Sequence, residues 1–120
     1  MRCLIVDDSK VIRAVTRKIM HELSFETAEA ADGREALDEC TRQMPDAILL
    51  DWNMPNVDGL AFLDMLRKME GGDRPIVVFC TSENSIDKIA SALRSGANEY
   101  IMKPFDSEII QSKLQQVGLI

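Results

Sequence analysis

The sequence lacks any apolar run close to the roughly 18 residues that a membrane-spanning helix needs. Its N-terminus also lacks the apolar segment and small-residue cleavage site of a signal peptide. The net charge of −6 argues against direct binding to nucleic acid, since such binding depends largely on neutralising phosphates. We therefore expect a cytoplasmic protein that neither inserts into a membrane nor contacts nucleic acid directly.

Residues that form disulfides or zinc sites are also few. The three cysteines, Cys3, Cys40 and Cys80, are odd in number and show no CxxC spacing. We interpret them as reduced, small hydrophobic residues of a cytosolic protein. The single histidine, His21, falls inside the first predicted helix, which argues against a zinc site.

What the sequence does contain is a regular alternation of short apolar runs and helical patterns, without a linker, repeat or low-complexity segment. Its 120 residues suit one domain, residues 1–120. A helical pattern follows each of the five predicted strands. The predicted strands are residues 3–6, 27–30, 47–50, 76–80 and 100–102.

Five repeats of strand and helix predict an α/β fold, a parallel sheet with helices on both faces. Runs 3–6, 47–50 and 76–80 are continuously apolar, as central strands buried on both faces should be. Glu29 and the Glu99–Tyr100 pair place the second and fifth strands at the edges. Right-handed crossovers then favour the strand order 2-1-3-4-5.

Polar residues follow the strands at the edge of the sheet where parallel folds bind ligands. Asp7 and Asp8 follow the first strand, Asp51 the third, Thr81 the fourth and Lys103 the fifth. Each also has a simpler interpretation. Asp8 or Ser9 could cap the first helix, Asp51 could begin an Asx turn, and Lys103 could be a solvated charge.

Three converging carboxylates would repel one another by several kcal/mol per pair at about 4 Å and an effective dielectric near 20. One lysine does not offset that repulsion, so we predict a bound cation. Mg²⁺ fits, because it prefers oxygen ligands and combines one or two carboxylates with phosphate oxygens. The predicted ligands are Asp7, Asp8, Asp51 and the backbone carbonyl of Asn53.

Mg²⁺ beside carboxylates, with Lys103 and Thr81 opposite, is suited to handling a phosphoryl group. An aspartate can itself act as the nucleophile and form an aspartyl-phosphate. Asp51 is the best candidate for that role, because its strand is predicted to be central.

Four segments resemble the receiver domain of two-component response regulators, in particular the chemotaxis type. They are IVDDS at 5–9, DWNMPNVDGL at 51–60, the Thr81–Ser82 pair and YIMKPF at 100–105. The resemblance covers essentially the whole chain and implies the flavodoxin-like (βα)5 three-layer sandwich.

By this resemblance, Asp51 is the phosphoacceptor, Asp7 and Asp8 bind Mg²⁺, and Thr81 and Lys103 contact the phosphoryl group. The Lys103–Pro104 peptide would be cis. Tyr100 matches the aromatic residue that turns inward on activation as the threonine moves. The protein would then not be an enzyme in the usual sense, but a phosphoacceptor that assists its own Mg²⁺-dependent phosphorylation and dephosphorylation.

Two further positions are implied to set the lifetime of the phosphorylated state. Asn53 and Glu83 match the chemotaxis type and would border the path of the hydrolytic water, which predicts a short-lived signal. Ser82 departs from the alanine of many receivers, and its hydroxyl could alter access of phosphodonors or the coupling to Tyr100.

The implied partners are a histidine kinase or phosphotransfer protein as phosphodonor and a downstream target protein. Arg13 and Arg17 on the first helix would face the kinase. The target would bind helix four, strand five and helix five, including Tyr100, Lys113 and exposed residues between 85 and 94. Control of chemotaxis or motility is the expected output.

Four alternatives remain. The chain could be a phosphorelay intermediate or the receiver portion of a multidomain regulator. A phosphatase of the haloacid-dehalogenase type would need a second aspartate as general acid where Asn53 stands. A flavin- or nucleotide-binding module would need a glycine- or hydroxyl-rich loop after the first strand, where Asp7 and Asp8 repel phosphate.

Overall fold

Five strands and five helices alternate in the computed structural model, which describes residues 1–52, 54, 57–82 and 86–120. The strands are β1 (Arg2–Val6), β2 (Glu26–Ala30), β3 (Ala47–Asp51), β4 (Ile76–Thr81) and β5 (Glu99–Met102). The helices are α1 (Lys10–Glu22), α2 (Gly33–Arg42), α3 (Gly59–Lys68), α4 (Ile86–Arg94) and α5 (Ser107–Gln116). Within the described residues, no helix combines the length and apolar character needed to cross a bilayer.

The strands form one parallel sheet in the order β2-β1-β3-β4-β5, which confirms the predicted flavodoxin-like fold and strand order. The central strand β3 is buried along its whole length, whereas β2 and β5 at the edges are only partly buried. Strands β3 and β4 each extend one residue beyond the predicted apolar run. Asp51 and Thr81 are therefore the last residues of buried strands.

Side-chain caps fix where the helices begin. Ser9 Oγ accepts a hydrogen bond from the N–H of Ile12, so Ser9 and not Asp8 is the N-cap of α1. Aspartates do the same at three other helices, namely Asp32 at α2, Asp58 at α3 and Asp106 at α5. Because Ser9 caps α1, the carboxylates of Asp7 and Asp8 are not used as the helix cap.

Alternate residues of each strand face two separate hydrophobic clusters, one on each side of the sheet. Val77 and Phe79 of β4 pack on the side covered by α2, α3 and α4. Val78 and Cys80 pack on the side covered by α1 and α5. The sheet therefore separates the two hydrophobic clusters.

Arg67 ties the end of α3 to the segment that follows α4. Its Nε and Nη2 donate to the carbonyl of Gly96 at 3.1 and 2.7 Å, and its Nη1 donates to the carbonyls of Gly72 and Pro75. Gly96 has φ +112°, a conformation that favours glycine. Within α4 itself only Ala92 is buried, so this contact adds to the packing of Ala92 in holding the C-terminal end of α4.

Candidate functional site

The ends of β1, β3 and β5 bring together an acidic site at the carboxyl edge of the sheet. Asp7 follows β1, Asp51 ends β3 and Lys103 follows β5. Asp7 and Asp51 are 4% and 7% exposed, which is unusual for carboxylates. Asp8, next to Asp7, is exposed and lies at the solvent side. We call Asp7, Asp8, Asp51 and Lys103 the acidic rim.

Lys103 is the counter-ion of the two buried carboxylates. Its ammonium group lies 2.9 Å from Asp7 Oδ2 and 2.9 Å from Asp51 Oδ1. The backbone N–H of Lys103 donates to the carbonyl of Thr81 at 2.8 Å, and the Lys103–Pro104 peptide bond is cis. The end of β5 is thereby held beside the end of β4, with the lysine directed across β4 toward β3 and β1.

Burial and neighbouring charges shift the pKa values of Asp51 and Lys103. Burial raises the pKa of Asp51, and the charges of Asp7 and Asp8 add to that effect, while the hydrogen bond from Lys103 opposes it. Burial lowers the pKa of Lys103, but its bonds to Asp7 and Asp51 outweigh burial and leave that pKa raised. Lys103 is therefore protonated at neutral pH, and its single charge does not fully compensate the carboxylates.

The donor set of the rim fits a small divalent cation. Asp7, Asp8 and Asp51 each offer one carboxylate oxygen, and these oxygens all lie within 4.8 Å of one another. All three donors are oxygens, and the exposed position of Asp8 leaves room for water ligands, which matches the preference of Mg²⁺. Asn53 and Glu83, predicted as a backbone ligand and as rate-tuning residues, lie outside the described residues.

Arg13, predicted to face the kinase, also contacts the acidic rim. Its Nη1 donates to the backbone carbonyl of Asp7 at 2.7 Å, and its Nε donates to Glu29 Oε1 at 3.1 Å. Arg17, in contrast, donates to the other oxygen of the same carboxylate, Glu29 Oε2, at 3.2 Å. Glu29 lies on β2 opposite Ile5 of β1, and the predicted strand order already placed these two strands side by side.

Two glycines lie close to the described residues that follow Asp51. The N–H of Gly59 donates to the carbonyl of Trp52 at 3.1 Å, and a Cβ at Gly59 would collide with the carbonyl oxygen of Asp51. The N–H of Gly33, at the start of α2, donates to the carbonyl of Val57 at 3.0 Å. A Cβ at Gly33 would likewise collide with the carbonyl oxygen of Val57, so only glycine permits α2 and α3 to approach Val57 and Asp51 this closely.

Thr81, the last residue of β4, and Tyr100 of β5 lie on the α4 side of the sheet. They line one small cavity together with Trp52 and Ile89, and the rings of Trp52 and Phe79 are 5.0 Å apart. Tyr100 is half-buried. The Lys113 ammonium lies 5.2 Å from its ring centroid.

Ser82 is exposed and lies on a cleft beside Lys103. The cleft has a volume of about 290 Å³ and runs between α1 and the β5–α5 connection. Ile12, Val15 and Phe105 give it mostly apolar walls. The hydroxyl of Ser82 therefore borders a path by which another molecule could reach the rim.

Comparison with known proteins identifies relatives over nearly the whole chain. A family model described as the response regulator receiver domain matches residues 3–115. The chemotaxis protein CheY of Pseudomonas aeruginosa is 34% identical over 118 residues, which cover 98% of this chain and 95% of CheY. The solved structure of the chemotaxis protein CheY4 of Vibrio cholerae matches with a TM-score of 0.92 and 33% identity over 97% of each chain.

A second type of relative is longer. The transcriptional regulatory protein PrrA of Mycobacterium tuberculosis is 40% identical over 104 residues, which cover 87% of this chain and 44% of PrrA. This chain therefore spans less than half the length of that relative.

Proposed function

This chain belongs to the response regulator receiver domain family, and from that membership we propose that it is a signalling switch phosphorylated on Asp51. The observation that carries the proposal is the acidic rim. Asp51 is buried at a strand end, 2.9 Å from the Lys103 ammonium and grouped with the carboxylates of Asp7 and Asp8. Receiver domains of this family act in two-component signalling, and the rim gives that activity a chemical site.

In the proposed reaction, the phosphodonor is the phosphohistidine of a histidine kinase or a phosphotransfer protein. A carboxylate oxygen of Asp51 forms a bond to phosphorus while the P–N bond breaks, and its electron pair returns to the imidazole. Lys103 donates to one phosphoryl oxygen and Thr81 to another, which offsets the charge of the transferred group. Mg²⁺, held by Asp7, Asp8, Asp51 and the Asn53 carbonyl, would supply further positive charge when bound.

The proposed output is a change at the face formed by α4, β5 and α5. Thr81 and Tyr100 line the same cavity, so movement of Thr81 toward a phosphoryl group would open space for the Tyr100 ring. A phosphoryl group would then shift the population of two arrangements of this face. Tyr100, Lys113 and exposed residues of α4 such as Ile86 would present the changed surface to a target protein.

The similarity to two CheY proteins favours chemotaxis or motility control as the pathway. The similarity to PrrA favours the alternative, a receiver portion of a multidomain regulator, and a phosphorelay intermediate would use the same chemistry. In each case the protein acts as a phosphoacceptor in the cytoplasm and not as an enzyme on a separate substrate. Asn53 and Glu83 predict a short-lived phosphorylated state, and Ser82 is a position that could modify it.

The test is phosphorylation by acetyl phosphate with Mg²⁺, followed by intact mass measurement. We expect the wild type to gain the mass of one phosphoryl group and Asp51→Asn to gain none. Asp46→Asn is the matched control, because Asp46 is an exposed aspartate at the opposite end of β3. Absence of the added mass in the wild type, or its persistence in Asp51→Asn, would overturn the proposal.

A further inference from the structure

Arg13 and Arg17, the two arginines of α1, differ in the exposure of their side chains. The side chain of Arg13 is 16% exposed and that of Arg17 is 49% exposed, although both bind Glu29. We propose that Arg13 is a positioning residue that sets the geometry of Asp7 and Asp8 for cation binding. This inference rests on the proposed function, since it assumes that the acidic rim holds Mg²⁺.

The guanidinium of Arg13 bridges two strands. Its Nε is fixed by Glu29 Oε1 on β2 at 3.1 Å, and its Nη1 reaches the carbonyl of Asp7 beyond the end of β1 at 2.7 Å. The second distance is typical of a strong, charge-assisted bond. The planar, rigid guanidinium transmits the position of one partner to the other, which a flexible ammonium does not do.

The carbonyl of Asp7 belongs to the peptide that joins the two aspartates. Because that peptide is planar, the direction of the carbonyl determines where the Cα of Asp8 lies relative to Asp7. The N–H of Asp7 donates to Ala30 at 3.0 Å, and its Oδ1 accepts from the N–H of Ser9 at 2.9 Å. Arg13 adds the contact that orients the plane leading to Asp8, the exposed carboxylate of the rim.

Charge and geometry act in opposite directions at this position. The positive charge of Arg13 repels a cation, so removing that charge would by itself strengthen binding. Loss of the oriented carbonyl would weaken binding, because groups that orient metal ligands typically contribute 10- to 100-fold to affinity. The substitution Arg13→Lys retains the charge and loses the two-point contact. It therefore isolates the geometric effect.

The experiment is a Mg²⁺ titration of the wild type, Arg13→Lys and Arg17→Lys, monitored by the fluorescence of Trp52, the only tryptophan. The Mg²⁺-dependent rise in melting temperature is measured in parallel. We expect the Kd of Arg13→Lys for Mg²⁺ to rise roughly tenfold. Arg17→Lys is expected to bind as the wild type does, because Arg17 binds Glu29 through Oε2 and its side chain is 49% exposed. Urea unfolding in EDTA separates this effect from a general loss of stability.

Each outcome has a defined meaning. An unchanged Kd in Arg13→Lys, with a responding wild type, overturns the role of Arg13 and leaves the proposed function intact. An equal loss in Arg17→Lys assigns the effect to the Glu29 ion pairs and also overturns it. A wild type that responds to Mg²⁺ by neither measurement overturns both proposals. If Arg13→Lys does not fold, Arg13→Gln replaces it. Because loss of the positive charge by itself strengthens cation binding, a Kd of Arg13→Gln at or below the wild-type value would then overturn the role of Arg13.

Discussion

The ionised side chain of Asp51 is unfavourable in the folded protein. It is a nearly buried carboxylate with two further aspartates close by, and Lys103 is its partner in the rim. Burial raises its pKa above the ordinary 3.8, and the neighbouring charges of Asp7 and Asp8 contribute to the same shift. The ionised form of Asp51 therefore costs stability in the folded protein.

We expect Asp51→Asn to raise the free energy of unfolding at neutral pH without Mg²⁺, by roughly 1 kcal/mol, the size of an ordinary point mutation effect. Because the folded-state pKa is raised, the wild type is free of this cost below pH 3.8 and acquires it as the pH rises through the folded-state pKa. The higher stability of Asp51→Asn should therefore be absent below pH 3.8 and appear as the pH rises through the folded-state pKa of Asp51. Urea unfolding in EDTA at acidic and neutral pH measures it.

A mutant that is less stable than the wild type at neutral pH would contradict this account of Asp51. So would an advantage of equal size at neutral pH and below pH 3.8, because it would not depend on ionisation. The comparable substitution Asp64→Asn, at an exposed position of α3, supplies the control for loss of a carboxylate as such.

At the scale of elements, strand identity and order were predictable because burial on both faces leaves a continuous apolar run. Runs 47–50 and 76–80 predicted two of the central strands for this reason, and Glu29 marked an edge. The convergence of Asp7, Asp51 and Lys103 followed from strand order, since parallel strands end at one edge of the sheet.

Contacts made by long side chains were not predictable in the same way. Periodicity reports which face of a helix is buried, but it does not report where an arginine on the border of that face directs its guanidinium. That Arg13 faces a kinase stays a prediction, whereas its contact with the carbonyl of Asp7 had no signal in the sequence. Arg67 gave no signal at all, because its acceptors are backbone carbonyls that lie together only in the folded chain.

Arg67 provides a prediction about α4. Arg67→Lys removes several bonds to the carbonyls of Gly96, Gly72 and Pro75, and bonds to charged groups are each worth about 1.5–3 kcal/mol. We expect a loss of about 2–3 kcal/mol in the free energy of unfolding, because lysine restores part of the set. Amide hydrogen exchange should also become faster through α4 and the start of β5.

Arg94→Lys is the matched control for that measurement. Arg94 is exposed on α4, and the bond found for it is a 3.4 Å contact with Ser91, so its replacement should leave both stability and exchange nearly unchanged. Exchange in α4 that is equally fast in the wild type and Arg67→Lys would show that Arg67 does not hold this helix.

At the scale of the whole molecule, the three cysteines report on both faces of the sheet. Cys3 and Cys80 lie on the α1 and α5 side, and Cys40 lies on the α2 side. All three are free and buried, as expected for reduced core residues. Burial raises the thiol pKa of Cys3 and Cys80 to about 12 and that of Cys40 to about 11.

We expect the native protein to resist thiol reagents such as DTNB at neutral pH, because the thiolate is the reactive form and these thiols are protonated. Unfolding in guanidinium should expose three reactive thiols, the number in the sequence. The measurement is absorbance of released thionitrobenzoate with time. Rapid reaction of one thiol in the native state would identify an opening on the face where that cysteine lies.

The alternation of side chains along β4 has a consequence for how such a protein can diversify. Cys80 pairs with Asp51 and faces α1 and α5, while Phe79 and Thr81 line the cavity under α4. Substitutions that alter recognition of a target through α4 can therefore accumulate on one side without disturbing the carboxylates. The lifetime of the phosphorylated state and the choice of target protein could then evolve independently within one small domain.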